Sequence, residues 1–207
     1  MKITHFLALL LLPFFVSAQS GNSMELNKNA KSKFPIESAK VSYIISGEAT
    51  GTATMYFDRN GWRQILIKEI TFEKFGISST EKTVELIDGD FYFKANLNSK
   101  KGAKYTDSNW SSLLSYKAPE EILEITMESK GGVFSGDTTL LNYSVGIWNF
   151  SKGATRSIWT LEGITLREVK MIGKIRYEMI ATEVNDTIKI EDDDFTLPEG
   201  IAWSEPD

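Results

Sequence analysis

From Val41 onward, apolar and polar positions alternate with the period of two expected of a half-buried strand. Val41, Tyr43 and Ile45 alternate with Ser42 and Ser46, and Ala53, Met55 and Phe57 alternate with Thr52 and Thr54. Gly47 and Gly51 bracket the turn between these two runs. Asp58-Arg59-Asn60-Gly61 predicts a hairpin loop, because Asn-Gly tolerates the positive φ that such turns require. The returning strand, Trp62 to Ile70, places Ile65 and Ile67 on one face and Leu66 and Ile70 on the other. Glu81 to Ile87 and Phe91 to Ala95 predict a second hairpin about Asp88-Gly89.

The middle of the chain changes period. Asp107 can cap a short helix carrying Trp110, Leu113 and Leu114, apolar at i, i+3 and i+4. Pro119 suits a first helical position, with Glu120 and Glu121 in the first turn. Ile122, Leu123, Ile125 and Met127 give that helix an apolar surface, and Lys130-Gly131-Gly132 predicts its end. Strands then resume over Gly146 to Lys152, Ser157 to Leu161, Ile164 to Met171 and Lys174 to Val184. In the last of these, Ile175, Tyr177, Met179 and Ala181 alternate with Lys174, Arg176 and Glu178, which predicts one wet and one buried face. Thr187 to Ile190 is expected to add a final edge strand, before an aromatic tail from Phe195 to Trp203. The whole reads as an antiparallel meander of the mainly β (α+β) class, with one helical insertion after the fifth strand.

The N-terminus modifies this picture. Lys2, the apolar run Phe6 to Val16 and the small residues Val16-Ser17-Ala18 predict a cleavable signal peptide over residues 1–18. Residues 19–35 are small, polar or charged and are expected to form a flexible leader, with Phe34-Pro35 marking entry into a single domain over 36–207. Cleavage would leave 189 of the 207 residues, enough for one domain with a real core, in the periplasm or outside the cell. No cysteine follows the apolar run, so a lipid anchor is not expected.

Charge and composition then remove function classes. Without Lys2 the balance is 22 basic against 28 acidic residues and includes no basic block, which argues against nucleic acid as a partner. The one histidine, His5, leaves with the signal peptide, and the chain has no cysteine. A chain without imidazole or thiol excludes Ser-His-Asp and Cys-His catalysis, Cys/His zinc sites and disulfides. No cofactor and no metal site is therefore expected, and the chain reads as non-enzymatic.

An antiparallel sheet with one apolar face must cover it with a second sheet, helices or a ligand. The predicted helical insert, Trp110 to Lys130, is little cover for so many strands. An aromatic share of 12% suits the walls of an apolar cavity, although any one of Trp62, Trp110, Trp148, Trp159 and Trp203 reads first as a core residue. Three features carry a resemblance. Val84-Glu-Leu-Ile-Asp-Gly-Asp-Phe-Tyr-Phe93 pairs an apolar run with an aromatic strand across Asp-Gly, the helical insert follows that hairpin, and Phe195-Thr-Leu-Pro-Glu-Gly-Ile201 forms a closing segment. With these the chain resembles the LolA family of periplasmic lipoprotein carriers. The resemblance implies an incomplete antiparallel β-barrel with a helical lid over an apolar cavity. It also implies a ligand that is a lipid, an acyl chain or a lipoprotein, and an inner- or outer-membrane protein as a further partner; a monomer is expected. An arginine that tethers the lid belongs to the same pattern, and Arg59 is the nearest match. The inward positions suggested by alternation are Tyr43, Met55, Phe57, Leu66, Phe91, Phe93, Trp110, Leu114, Met127, Trp148, Trp159, Tyr177 and Met179.

Other clusters read more plainly. Glu191-Asp192-Asp193-Asp194 lacks the alternating spacing and glycine of a calcium loop and reads as a solvated acidic turn. Glu120, Glu124 and Glu128, at i, i+4 and i+8, read as an exposed helix face. Three functions remain open from the sequence: a carrier of acyl chains, a regulatory or partner-binding protein on the same scaffold, and a carboxylate-dependent hydrolase needing two facing carboxyls in a polar cleft.

Overall fold

Alternation in the sequence becomes twelve strands in one sheet. The computed structural model describes residues 32–74, 76–107 and 117–205. The expected signal peptide, nearly all of the expected leader, the helix expected after Asp107 and the candidates Trp110 and Leu114 lie outside the described residues. The strands are β1 (Ala39–Gly47), β2 (Ala49–Asp58), β3 (Arg63–Lys74), β4 (Ile77–Asp88), β5 (Phe91–Asn96), β6 (Lys101–Thr106), β7 (Gly132–Leu140), β8 (Tyr143–Phe150), β9 (Thr155–Leu161), β10 (Ile164–Ile172), β11 (Ile175–Asn185) and β12 (Ala202–Ser204). Their spatial order is β12-β6-β5-β4-β3-β2-β1-β11-β10-β9-β8-β7, so two meanders meet where β1 pairs with β11. All neighbours are antiparallel except β12, which runs parallel to β6. Strands β7 and β12 are left as edges, and the sheet is not closed into a barrel.

Three elements differ from the expectation. Strand β6 precedes the helical insert, which therefore follows the sixth strand, and β7 opens the second meander. Both are largely exposed, so neither carries the one-sided apolar alternation by which a strand is read. Thr187 to Ile190 is not a strand. There the Thr187 N–H and hydroxyl both donate to Asn185 Oδ1, at 3.2 and 3.0 Å, which turns the chain out of the ladder.

The single α-helix among the described residues, α1 (Pro119–Ser129), connects the meanders. Pro119 stands at its start, the Glu121 carboxylate accepts from the Ala118 N–H at 3.1 Å, and Gly131 follows with φ 79. Glu120, Glu124 and Glu128 are exposed, whereas Ile122 and Met127 are buried. Met127 packs with Trp148, Phe150 and Ile158 of β8 and β9.

Both faces of the first meander are apolar, and each has its own cover. Val41, Tyr43, Ile45, Ala53, Met55, Phe57, Tyr177, Met179 and Ala181 belong to one cluster, which also takes in Phe34. Phe34 is 2% exposed, meets Phe57 edge-on at 4.9 Å, and lies so close to Gly61 that a Cβ there would fall 2.5 Å from its ring. Gly61 also has φ +80, so this hairpin needs glycine twice over. On the opposite face, Ile65, Val84, Leu86 and Ala95 are covered by Phe195 and by partly buried Ile190, Leu197, Ile201 and Trp203. The tail thus returns across the back of the sheet and ends as β12, with Trp203 seated over Gly102.

Arg63 fixes that return. Its Nε donates to Asp58 Oδ1 at 3.0 Å, its Nη2 donates to the second Asp58 oxygen and, at 2.8 Å, to Asp192, and its guanidinium lies 3.9 Å over the Phe195 ring. Asp192 and Phe195 bound a single 3-10 turn, so the acidic run is a turn in which Asp192 is engaged by Arg63 and Glu191 by Lys189.

Two outcomes are expected. Phe34→Ala leaves an unfilled space in the main cluster and lowers stability by about 3 kcal/mol, a fall of roughly 6–12 °C in melting temperature by calorimetry. Arg63→Ala removes three charge-assisted hydrogen bonds and the stack, costing about 2 kcal/mol. It should accelerate deuterium exchange across residues 186–205 well before global unfolding, and Arg63→Lys, without the planar fork, should fall between.

Candidate ligand-binding site

The sheet curls. Strands β4 and β10 are five inter-strand steps apart, on the order of 24 Å along a flat sheet. Yet Glu81, Thr83 and Glu85 of β4 share the lining of one cavity of about 240 Å³ with Lys170 and Ile172 of β10. Such a cavity cannot span the flat distance, so the two meanders face each other across a concave side. That side carries the alternate residues on which Met55 and Leu66 lie, because Met55 pairs with Leu66, Leu66 with Glu85 and Glu85 with Lys94.

Its interior is charged as well as apolar. Glu85 accepts from Lys68 at 3.2 Å and from Lys94 at 2.9 Å, and Tyr92 donates its hydroxyl to the other carboxylate oxygen at 3.2 Å. Burial alone would raise the Glu85 pKa; the two ammonium groups outweigh it and hold the carboxyl down at about 2. Opposite, Lys170 pairs with Glu168 at 3.0 Å, and that carboxylate outweighs burial and pushes the ammonium up. Tyr177, between these groups, is pushed up chiefly by burial. This network is internally satisfied and joins neighbouring strands to one another.

Under α1 the lining is different. A cavity of about 320 Å³ is walled by Ile87, Phe91, Tyr92 and Tyr105 on the sheet and by Thr126 and Lys130 on the helix side. Tyr92 and Tyr105 lie ring to ring at 4.7 Å. An adjoining cavity of about 110 Å³ shares Lys33, Thr126 and Lys130 and adds Ile122, Leu123, Met127, Gly163 and Thr165. Lys33 is held here because its N–H and that of Phe34 both donate to Asn60 O at 2.8 Å, while its Nζ donates to Gln64 Oε1 at 3.2 Å. Burial and the neighbouring Lys130 ammonium together push Lys33 down to about 7.

The candidates drawn from alternation distribute unevenly. Tyr43, Met55, Phe57, Tyr177 and Met179 are buried together, with Leu66 packed against them. Tyr177 also lines the charged cavity, and Tyr43 donates its hydroxyl to Thr165 O at 2.8 Å. Met127 and Trp148 lie together beneath α1, and Met127 lines the smaller cavity there. Phe93 pairs with Leu86 and Leu86 with Ile65, which places Phe93 on the tail-covered back face, where it meets Trp203 at 5.6 Å. Phe91, two residues earlier, is 54% exposed and reaches both the cavity under α1 and one of about 550 Å³ beside Lys104 and Glu205. Trp159 is partly buried against the same cluster as Tyr43 and Met55, and it is in register with Arg167, whose guanidinium lies 4.2 Å from its ring. Arg59 is exposed at the tip of the β2–β3 turn, and its guanidinium has no ion-pair partner among the described residues; Arg63 anchors the tail rather than a lid. The charged residues of the concave side were not read from sequence, although Lys68 stands between Leu66 and Ile70 on a single face, a charge at an inward position.

No protein-family model matches the sequence, and no curated protein matches it. Among solved structures, an uncharacterized conserved protein from Thermus thermophilus is similar at a TM-score of 0.50 and 10% identity, over 83% of this chain and 92% of that one. The structures of PNGF-II and MucB give TM-scores of 0.47 and 0.41 at 14% and 9% identity, each over 82% of this chain. This chain spans 32% of the PNGF-II chain and 60% of the MucB chain. The likeness to the Thermus protein is one of fold, the two lower scores carry no argument, and the chemistry of the site rests on its own residues.

Proposed function

We propose that the protein is a non-enzymatic carrier or binding protein of the cell envelope, holding a lipid or acyl-chain ligand between the curled sheet and α1. The observation that carries this reading is the aromatic-walled space of about 320 Å³ beneath α1, at an opening of a sheet that does not close. That volume is at the lower end of known ligand cavities, so it suits a single chain; a multiply acylated lipoprotein would need α1 to move outward. The driving force is apolar burial, worth ~0.8 kcal/mol for each methylene removed from water. The resemblance of the hairpin and closing segment to LolA-type carriers supports the same reading. Hydrolysis is disfavoured because Glu85 and Glu121 are both held below the usual carboxylate range, whereas a general acid needs the opposite.

One observation favours a second reading. Edge strand β7 leaves Val133 and Phe134 67% and 50% exposed, and Ile125 of α1 is 40% exposed, a surface suited to an added strand from a protein partner.

Native mass spectrometry on the mature protein, isolated without detergent, separates the two readings. A stoichiometric mass excess that extracts as acyl lipid is the expected result. A bare mass that stays unchanged after incubation with lipids and lipopeptides would overturn the carrier and favour the docking strand. Thr126→Trp, which fills the space from the helix side, should reduce uptake of a fluorescent fatty acid by about tenfold while the melting temperature stays near that of the parent.

A further inference from the structure

We infer that edge strand β7 takes an extended basic segment of another protein, with one arginine or lysine side chain seated against Asp137, Phe134 and Trp148. This inference rests on the docking-strand reading and supplies the chemistry of the partner.

Among the described residues β7 pairs only with β8, so main-chain groups along its outer side are free to bond a further strand. Its nine residues include no lysine and no proline, the residues that most often blunt an edge, and a single charge, Asp137.

The irregularity in β7 builds the recognition point. Phe134 pairs with Trp148 and Asp137 with Gly146, so the bulged strand carries one extra residue here. In a regular strand Phe134 and Asp137 would point to opposite faces; the extra residue brings both to one face. They converge over Gly146. A Cβ placed there would lie 3.1 Å from Phe134 Cε2, 3.7 Å from Asp137 Oδ1 and 3.8 Å from Thr160 Oγ1. Phe134 also meets the Trp148 ring at 5.3 Å. An exposed carboxylate beside two aromatic rings attracts an ammonium or guanidinium group, through its charge and through the rings. Thr160 is 2% exposed, and its hydroxyl has no hydrogen-bond partner among the described residues, so it can accept from the same group.

Charge selects the occupant. Asp137, and on α1 Glu124 and Glu128 beside exposed Ile125, form no ion pair with any described residue. Lys130, which precedes the strand, and Lys152, just past Phe150, the partner of Gly132, stand at the Gly132 end. That end is roughly 15 Å from Asp137 along the strand, beyond the ~8 Å within which exposed charges escape screening. A second copy of β7 would bring no basic residue to Asp137, whereas a basic segment would neutralise it.

Fluorescence anisotropy on the mature chain tests this with labelled nine-residue peptides of alternating valine and threonine. Their central residue is arginine, lysine, citrulline or glutamate. The arginine and lysine peptides should bind at least about tenfold tighter than the other two, and high salt should narrow the margin. Asp137→Asn, checked for an unchanged fold by circular dichroism, should bring the arginine peptide down to the citrulline peptide, about a tenfold loss. Deuterium exchange across residues 132–140 should slow when the arginine peptide is bound. Equal binding of the arginine and citrulline peptides would overturn the basic partner and leave the docking strand standing. An arginine preference that survives Asp137→Asn would place the charge recognition elsewhere and overturn the inference. A concentration-dependent dimer in sedimentation, dispersed by the peptides, would give the edge to a second copy and overturn it as well. Failure of all four peptides would overturn the docking strand, and the inference with it.

Discussion

A sheet of twelve strands that does not close has two faces to protect from water, and that requirement organises the rest of the molecule. Parts of β2 to β5 are apolar on both sides: Met55 and Leu66 point one way, and Ile65, Val84 and Leu86 the other. Among the described residues there is no second sheet, so the sheet curls to cover one side with itself, and the C-terminal tail crosses the other. The tail can do this only while its turn is pinned at Asp192 and Phe195. Arg63 therefore stabilises more than its own contacts, because the burial of the whole back-face cluster depends on where the tail is held.

The concave side meets the same requirement only in part. Where β1, β2 and β11 adjoin, Val41, Tyr43, Ala53, Met55, Met179 and Ala181 pack into one buried cluster. Toward β4 and β10 the facing positions are Lys68, Glu85, Lys94, Glu168 and Lys170, and each of the two carboxylates is paired with at least one ammonium group. A buried carboxylate held by two ammonium groups adds little net stability over apolar packing, but it costs heavily if one partner is lost. Open volume is left at the end covered by α1, where the proposed function is located.

The two edges of the sheet are managed differently. Strand β12 is three residues long, and its tryptophan turns back over the sheet, so it presents little free ladder. Strand β7 is nine residues long and keeps its outer ladder free, with an irregularity between Phe134 and Asp137 in its pairing with β8. Trp148 beneath this edge has a buried indole N–H without a partner, and Phe134 lies against its ring at 5.3 Å.

Sequence alone determined the β class, the first and second hairpins, the start and stop of α1 and the inward set on β11. All of these are local rules in which a period of two, an Asn-Gly pair or a proline at a helix start leaves its mark within a few residues. Strands β6 and β7 and the end of β11 were not legible, because an exposed strand has no periodic signature and one Asn185 side chain was enough to divert the chain. The candidate site was legible only by halves. Alternation says that neighbours such as Leu86 and Ile87 point opposite ways, but not which way is concave, and Phe93, expected on the inward side, lies on the tail-covered side. That Arg63 pins the tail, and that Lys33 and Lys130 line one space under the helix, were decided by tertiary structure. Those pairings join residues nearly a hundred or more positions apart, and only the curl of the sheet and the path of the tail bring them together.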